Sequence, residues 1–247
     1  MQKDPYSFSA IVEGQYQVKI NIAAWMTRKG IEDFQEKYLA LCREDAAFAR
    51  VCSFNKPILE YISESVFPLT DKIDQSKKKV MIVFGNPATN SIVKKMFFYS
   101  RQDGGRHPIW KKLEDAGLLL REIRDNLDDR EEEAERIRTA IIKGATSVQY
   151  TLGLTTFYSF PTPVKTRKMK YGDVAGVESL FRAVISILQR EEIKRLENYD
   201  FGKGAIWICT QDTSYKYIEK DYKGSSVKYW PMRNSGGNYL SEILRKV

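Results

Sequence analysis

The residues with the most chemical potential follow an apolar run, Val80-Met81-Ile82-Val83-Phe84, which stops at Gly85-Asn86-Pro87-Ala88. Glycine and proline there let the backbone turn sharply and approach a ligand closely. The Asn86 amide is no general base at neutral pH, but its oxygen can accept a hydrogen bond. A Gly-Asn-Pro turn after a strand is also a common structural turn, so the motif needs company before it carries meaning. Phe97-Phe98-Tyr99 follows, then His107-Pro108 at the start of a helix, the basic run Lys165, Arg167, Lys168 and Lys170, and the loop Pro231-Met232-Arg233-Asn234-Ser235-Gly236-Gly237-Asn238. An aromatic face can stack a planar ligand, and cations can neutralise phosphates. The same residues also serve as core, solvated loop and glycine-rich turn. Only one of Phe97 and Phe98 can line a pocket.

Other chemistries lack residues. His107 is the single histidine, and Cys42, Cys52 and Cys209 are spaced neither as CxxC pairs nor as a disulfide framework. The usual zinc sites therefore have no ligands, and a Ser-His-Asp or Cys-His mechanism could be built only around that one imidazole. His107 reads instead as structural or phosphate-facing. No metal and no organic cofactor is expected. The net charge of +8 and a pI near 9.2 favour polyanionic partners such as nucleic acid or an anionic membrane surface, and equally describe a merely basic soluble protein. No apolar run approaches the ~20 residues needed to span a bilayer, and MQKDPYSFSA lacks a signal-peptide core. The expectation is a cytoplasmic protein, nuclear if eukaryotic, with no membrane segment, acting as a monomer.

The elements that must position these residues are read from periodicity. Helices are predicted from about Ile31 to Glu44 and from about Pro57 to Val66, so residues 1–77 read as an N-terminal helical cap on a single domain spanning 1–247. Val80–Phe84 reads as a buried parallel strand, and the loop after such a strand is a site candidate on topology alone. A helix is predicted around Pro108–Ala116 with Gly117 as its C-cap. A charge-dense, mostly solvated helix follows in Asp125–Ile142, and a long amphipathic one in Val177–Leu196. Further strands are expected at Thr151–Phe160, Ala205–Thr210 and Val227–Trp230, and a closing helix at about Tyr239–Arg245. Together these give an α/β class: a three-layer α/β/α fold with a short, mainly parallel central sheet.

The stretch Phe84 to Leu118 resembles the first motif region of the uracil-DNA glycosylase superfamily, mismatch-specific branch, where Gly-x-Asn-Pro-Gly precedes an aromatic residue and then an Arg-Phe-Trp helix ending in Ala-Gly. Leu154–Phe160 falls where that family has its middle strand and base-reading residue, and Pro231–Asn238 is similar to its last loop, Pro-x-x-Ser-Gly. The resemblance implies that Asn86 orients the attacking water. It implies that Gly85, Pro87, Phe98, Ser159 and Asn234 hold the base, and that Lys165, Arg167, Lys168, Arg233, Ser235 and Gly236 contact DNA. The chain departs from the pattern at Phe84, where the family has its first glycine, and at Ala88, where it has its last. The middle strand has no asparagine and the last loop no histidine.

Three functions follow from these readings. The first is a monofunctional DNA glycosylase removing uracil or a related damaged or mismatched base. The second is a non-catalytic nucleic-acid-binding module on the same fold. The third is another small-molecule enzyme whose ligand sits at the Gly85–Ala88 turn.

Overall fold

The computed structural model describes residues 4–99, 105–125, 127, 129–162, 175–222, 224 and 226–247. Strand β1 (Tyr6–Phe8) and β2 (Gln15–Asn21) lead into helices α1 (Arg28–Glu44) and α2 (Ala46–Val51), followed by β3 (Cys52–Asn55) and β4 (Ile58–Glu64). These strands form an antiparallel sheet in the order β1-β2-β4-β3. Its logic is period two: Tyr16, Val18 and Ile20 point inward while Gln17, Lys19 and Asn21 face water. α1 starts where Thr27 accepts the Gly30 amide at 3.2 Å, a side-chain N-cap.

The N-terminal segment is thus not the helical cap expected from its sequence. The helix predicted over Pro57–Val66 is strand β4, whose Leu59, Tyr61 and Ser63 are buried and whose backbone pairs on both sides, with β2 and with β3. Two ladders of sheet hydrogen bonds outweigh a short helical stripe, since local propensity yields to tertiary pairing.

The second sheet contains β5 (Lys78–Phe84), β6 (Tyr150–Thr156), β7 (Ile206–Cys209) and β8 (Val227–Tyr229), all parallel, in the order β6-β5-β7-β8. Between β5 and β6 run α3 (Thr89–Val93), α4 (Ile109–Asp115) and α5 (Arg130–Ile142). Between β6 and β7 run α6 (Ala175–Phe181) and α7 (Ile185–Glu197). Then α8 (Asp212–Asp221) links β7 to β8, and α9 (Gly237–Arg245) closes the chain. The long helix expected over Val177–Leu196 is broken by a 3-10 turn at Arg182–Val184.

Alternation along β5 sorts the helices between its two faces. Val80, Ile82 and Phe84 share a core with Ile92, Ile109, Leu113, Ile137 and Leu240, from α3, α4, α5 and α9. Met81 and Val83 share one with Leu180, Leu188, Leu196 and Ile218, from α6, α7 and α8, and with Tyr6, Val18 and Tyr61 of the antiparallel sheet. Helices on both faces of a parallel sheet make a mixed α/β architecture compatible with the α/β/α layering expected. The two sheets meet where Val66, just beyond β4, exchanges 2.8 Å hydrogen bonds with Leu154 of β6.

Candidate active site at the carboxyl ends of the parallel strands

β5 and β7 are neighbours, yet the chain leaves β5 toward α3 on one face and leaves β7 toward α8 on the other. Such a reversal opens a crevice at the carboxyl ends of the two strands, where open parallel sheets bind ligands. Gly85-Asn86-Pro87 stands on one lip and Gln211 on the other. They touch: a Cβ built on Gly85 would lie 2.1 Å from the Gln211 Nε2. The glycine is therefore needed for the Gln211 carboxamide to lie over the turn. Gln211 escaped the sequence reading, although it directly follows the apolar run Ala205–Thr210 and the strand-end rule applied to Gly85 points to it equally.

The turn is held by the chain beyond β6. Phe157 N–H donates to the Phe84 carbonyl and Tyr158 N–H to that of Gly85, both at 2.8 Å, and Thr162 N–H donates to the Pro87 carbonyl at 2.9 Å. Thr89 N–H returns a bond to the Thr162 carbonyl at 3.2 Å. Asn86, half-buried, donates its Nδ2 to Thr162 Oγ1, and its Oδ1 accepts from no described residue. An amide so anchored presents an acceptor in a fixed direction.

Of the two candidate rings, Phe97 is core and Phe98 is half-buried at the site. Phe98 takes a left-handed backbone conformation, with φ of 50°, uncommon for a bulky side chain and the kind of outlier that clusters at functional sites. Its ring lies between Phe84, edge-on with centroids 4.8 Å apart, and His107, tilted at 4.4 Å. His107 Nδ1 accepts the Ile109 amide at 3.2 Å, which caps the start of α4. Beside this cluster a pocket of about 390 Å³ is lined by Phe98, His107, Pro108, Lys112, Met232 and Arg233, among others. The first motif region and the last loop therefore share one cavity.

Lys112 builds that cavity's wall, and the sequence reading did not single it out. Its Nζ donates to the Met232 carbonyl and, at 2.8 Å, to that of Ser235, and burial lowers its pKa. Ser235 is occupied internally, its hydroxyl donating to the Pro231 carbonyl at 2.9 Å. Gly237 brings α9 against α4, since a Cβ there would meet the Lys112 carbonyl at 2.4 Å. Arg233, Asn234 and Gly236 are exposed on the loop, Arg233 at the pocket and Asn234 outside its lining.

Ser159 lies elsewhere. Expected to read a base edge, it is wholly buried, and its hydroxyl donates to Glu192 Oε1 at 2.6 Å and bonds the Tyr61 hydroxyl at 2.8 Å. Past the end of β6 the side chain faces the core shared with the antiparallel sheet rather than the crevice. Lys165, Arg167, Lys168 and Lys170 lie outside the described residues.

One of the acids of α5, Glu133, is structural, whereas Glu131, Glu132 and Glu135 are exposed. Glu133, 4% exposed, accepts from Arg124 Nε at 2.7 Å, from Arg130, and from Arg106 Nε at 3.3 Å, which ties the residue before His107 to α5. Burial alone would raise its pKa, but the hydrogen bonds from Arg124 and Arg130 bring it below the ordinary value. A second buried acid, Glu64 at the end of β4, has no hydrogen bond to either oxygen, and burial pushes its pKa well up.

Among the described residues no group of three or more His, Cys, Asp or Glu could hold a metal ion, and no helix is long and apolar enough to cross a membrane. Searched against protein-family models and curated proteins, the chain matches none.

Proposed function

We propose that this protein is a divergent member of the uracil-DNA glycosylase superfamily that hydrolyses the N-glycosidic bond of uracil, or of a related damaged or mismatched base, flipped out of DNA. The observation that carries the reading is Asn86: an amide anchored through Nδ2 at the carboxyl end of β5, with Oδ1 taken by no described residue. In the proposed reaction Oδ1 orients a water toward the sugar carbon. The carbon–nitrogen bond breaks, the water oxygen bonds the carbon, and the departing base takes up the proton. Loss of the base as an anion leaves an oxocarbenium-like sugar, and dipoles aimed at the departing charge lower that barrier. Phe98 and Arg233 supply a ring and a cation in one cavity, whose lining does not include Asn86, and the +8 charge suits a polyanion. The chain's own residues suffice for this chemistry without a cofactor.

A second reading, nucleic-acid binding without excision, is favoured by one observation. Phe98, the ring proposed to stack a base, is already flanked by Phe84 and His107. A flipped base would have to displace one of them.

Labelled oligonucleotides carrying uracil opposite guanine, opposite adenine or in a single strand separate the two. Abasic-site formation by the wild type that falls about a hundredfold in Asn86→Ala, the cost of a misplaced reactant, is the expected result. Excision untouched by Asn86→Ala removes the assigned role. Binding without product from any substrate selects the second reading, and no binding even at low salt, where phosphate contacts are strongest, ends both.

A further inference from the structure

We infer that Glu192 and Arg195 of α7 are positioning residues for Asn86, acting through the segment Thr156–Ser159. The catalytic consequence rests on the reading of Asn86 above; the mechanical part does not.

The segment is gripped from two sides. Toward the site, Phe157 and Tyr158 donate their amides to the carbonyls of Phe84 and Gly85, both at 2.8 Å. The Gly85 carbonyl belongs to the same planar peptide as the Asn86 nitrogen, so the Tyr158 bond fixes the plane from which Asn86 projects. Away from the site, Arg195 Nη2 donates to the carbonyls of Thr156 at 2.6 Å and Phe157 at 3.1 Å. Glu192 Oε1 accepts the Ser159 amide at 2.8 Å and its hydroxyl at 2.6 Å. Backbone groups that would be orphaned where β6 ends are thus satisfied by one acid and one base from a single helix.

The pair is itself held rigidly. Arg195 Nε meets Glu192 Oε2 at 2.6 Å with both side chains fully buried. Arg195 Nη1 donates to the Tyr199 hydroxyl at 2.6 Å, and the guanidinium lies 5.6 Å from the Tyr16 ring and 5.5 Å from that of Tyr199. Tyr6 donates to Glu192 Oε2 at 3.0 Å. Buried ion pairs are poor stabilisers compared with well-packed apolar replacements. One placed directly behind the segment that braces the Asn86 turn, with Arg195 Nη2 and Glu192 Oε1 spent on that segment's backbone, fits a role in geometry better than one in stability.

The test is a Glu192→Gln/Arg195→Met double variant, which leaves no unpaired charge buried and is expected to fold. Amide hydrogen exchange is read at Phe157 and Tyr158, with Leu154, bonded to Val66, and Thr210, bonded to Val83, as internal controls. The expected result is exchange about tenfold faster at Phe157 and Tyr158, the worth of one net hydrogen bond, with Leu154 and Thr210 unchanged. Arg195→Lys, which keeps the charge and loses the planar fork, should give the same local pattern. In excision assays kcat should drop about a hundredfold while KM holds, as for a displaced catalytic group. Parallel acceleration at all four amides, or at none, overturns the inference, as does an unchanged kcat in an active background. A wild type that excises nothing defeats the glycosylase reading alone, because the exchange pattern still decides whether the pair holds the segment.

Discussion

Glu64 closes β4 with neither carboxylate oxygen hydrogen-bonded, whereas Glu192, equally sealed from water, has both oxygens occupied, by Ser159, Tyr6 and Arg195. The two acids sit on opposite sides of one structural joint. Glu64 precedes the Ser65–Val66 contact with β6, where Ser65 Oγ meets Thr155 Oγ1 at 2.7 Å. Glu192 lies behind Ser159, in the segment that follows the end of that strand. The difference shows two ways a carboxyl tolerates burial: it keeps a proton, or it is given an arginine and hydrogen-bond donors. Only the second yields directional contacts that can hold a neighbouring loop.

The contrast breaks most visibly at Glu192. Glu192→Ala leaves the Arg195 guanidinium buried without its acid and should cost about 3–5 kcal/mol in urea unfolding; a loss under about 1 kcal/mol, typical of exposed pairs, would mean the network is slack. Tyr6→Phe deletes the hydroxyl's bond to Glu192 together with its 3.2 Å bond to Ser159 Oγ and should cost roughly 1.5–3 kcal/mol. No measurable change would show that the antiparallel sheet does not brace the ion pair.

Glu64 gives the smallest effect per step, but one with a sign. Burial holds its carboxyl well above the ordinary value of 4.5. Below that value the acid is protonated in both the folded and the unfolded chain and contributes no slope. Between it and the raised folded value, the unfolded chain has lost a proton that the folded one retains, so stability falls as pH rises, by up to about 1.4 kcal/mol per pH unit. Glu64→Gln should lack this slope and gain on the wild type as pH rises above the ordinary carboxylate value in urea titrations. A wild-type-minus-variant difference flat with pH would place Glu64 beside Glu192 rather than opposite it.

The parallel sheet was legible in the sequence because a strand buried on both faces is written as a continuous apolar run. Val80–Phe84 lies within the observed β5, Ala205–Thr210 contains the observed β7, and Gly117 adopts the positive φ expected of a C-cap. The antiparallel sheet was not. In Ile58-Leu59-Glu60-Tyr61-Ile62-Ser63-Glu64 the apolar positions 58, 61 and 62 fit a helical stripe, while 59, 61 and 63 fit a strand. Only pairing with β2 and β3 decides between them. The alternation of Tyr16, Val18 and Ile20 was a usable signal in what reads as a lead-in.

The site divides in the same way. Gly85, Asn86 and Phe98 follow from one local stretch of chain. The surroundings of Ser159 come from Tyr6, Tyr61 and Glu192, which are 153, 98 and 33 residues away, and no local pattern reports which way a side chain turns after a strand ends.

The contact between Gly85 and Gln211 makes those two positions a single unit of variation. Any side chain at 85 must claim space that the carboxamide at 211 now fills, so a substitution at either position changes what the other can accept. The width of the crevice is therefore written jointly on β5 and β7, and whether Gly85 is indispensable in a relative depends on what stands opposite it.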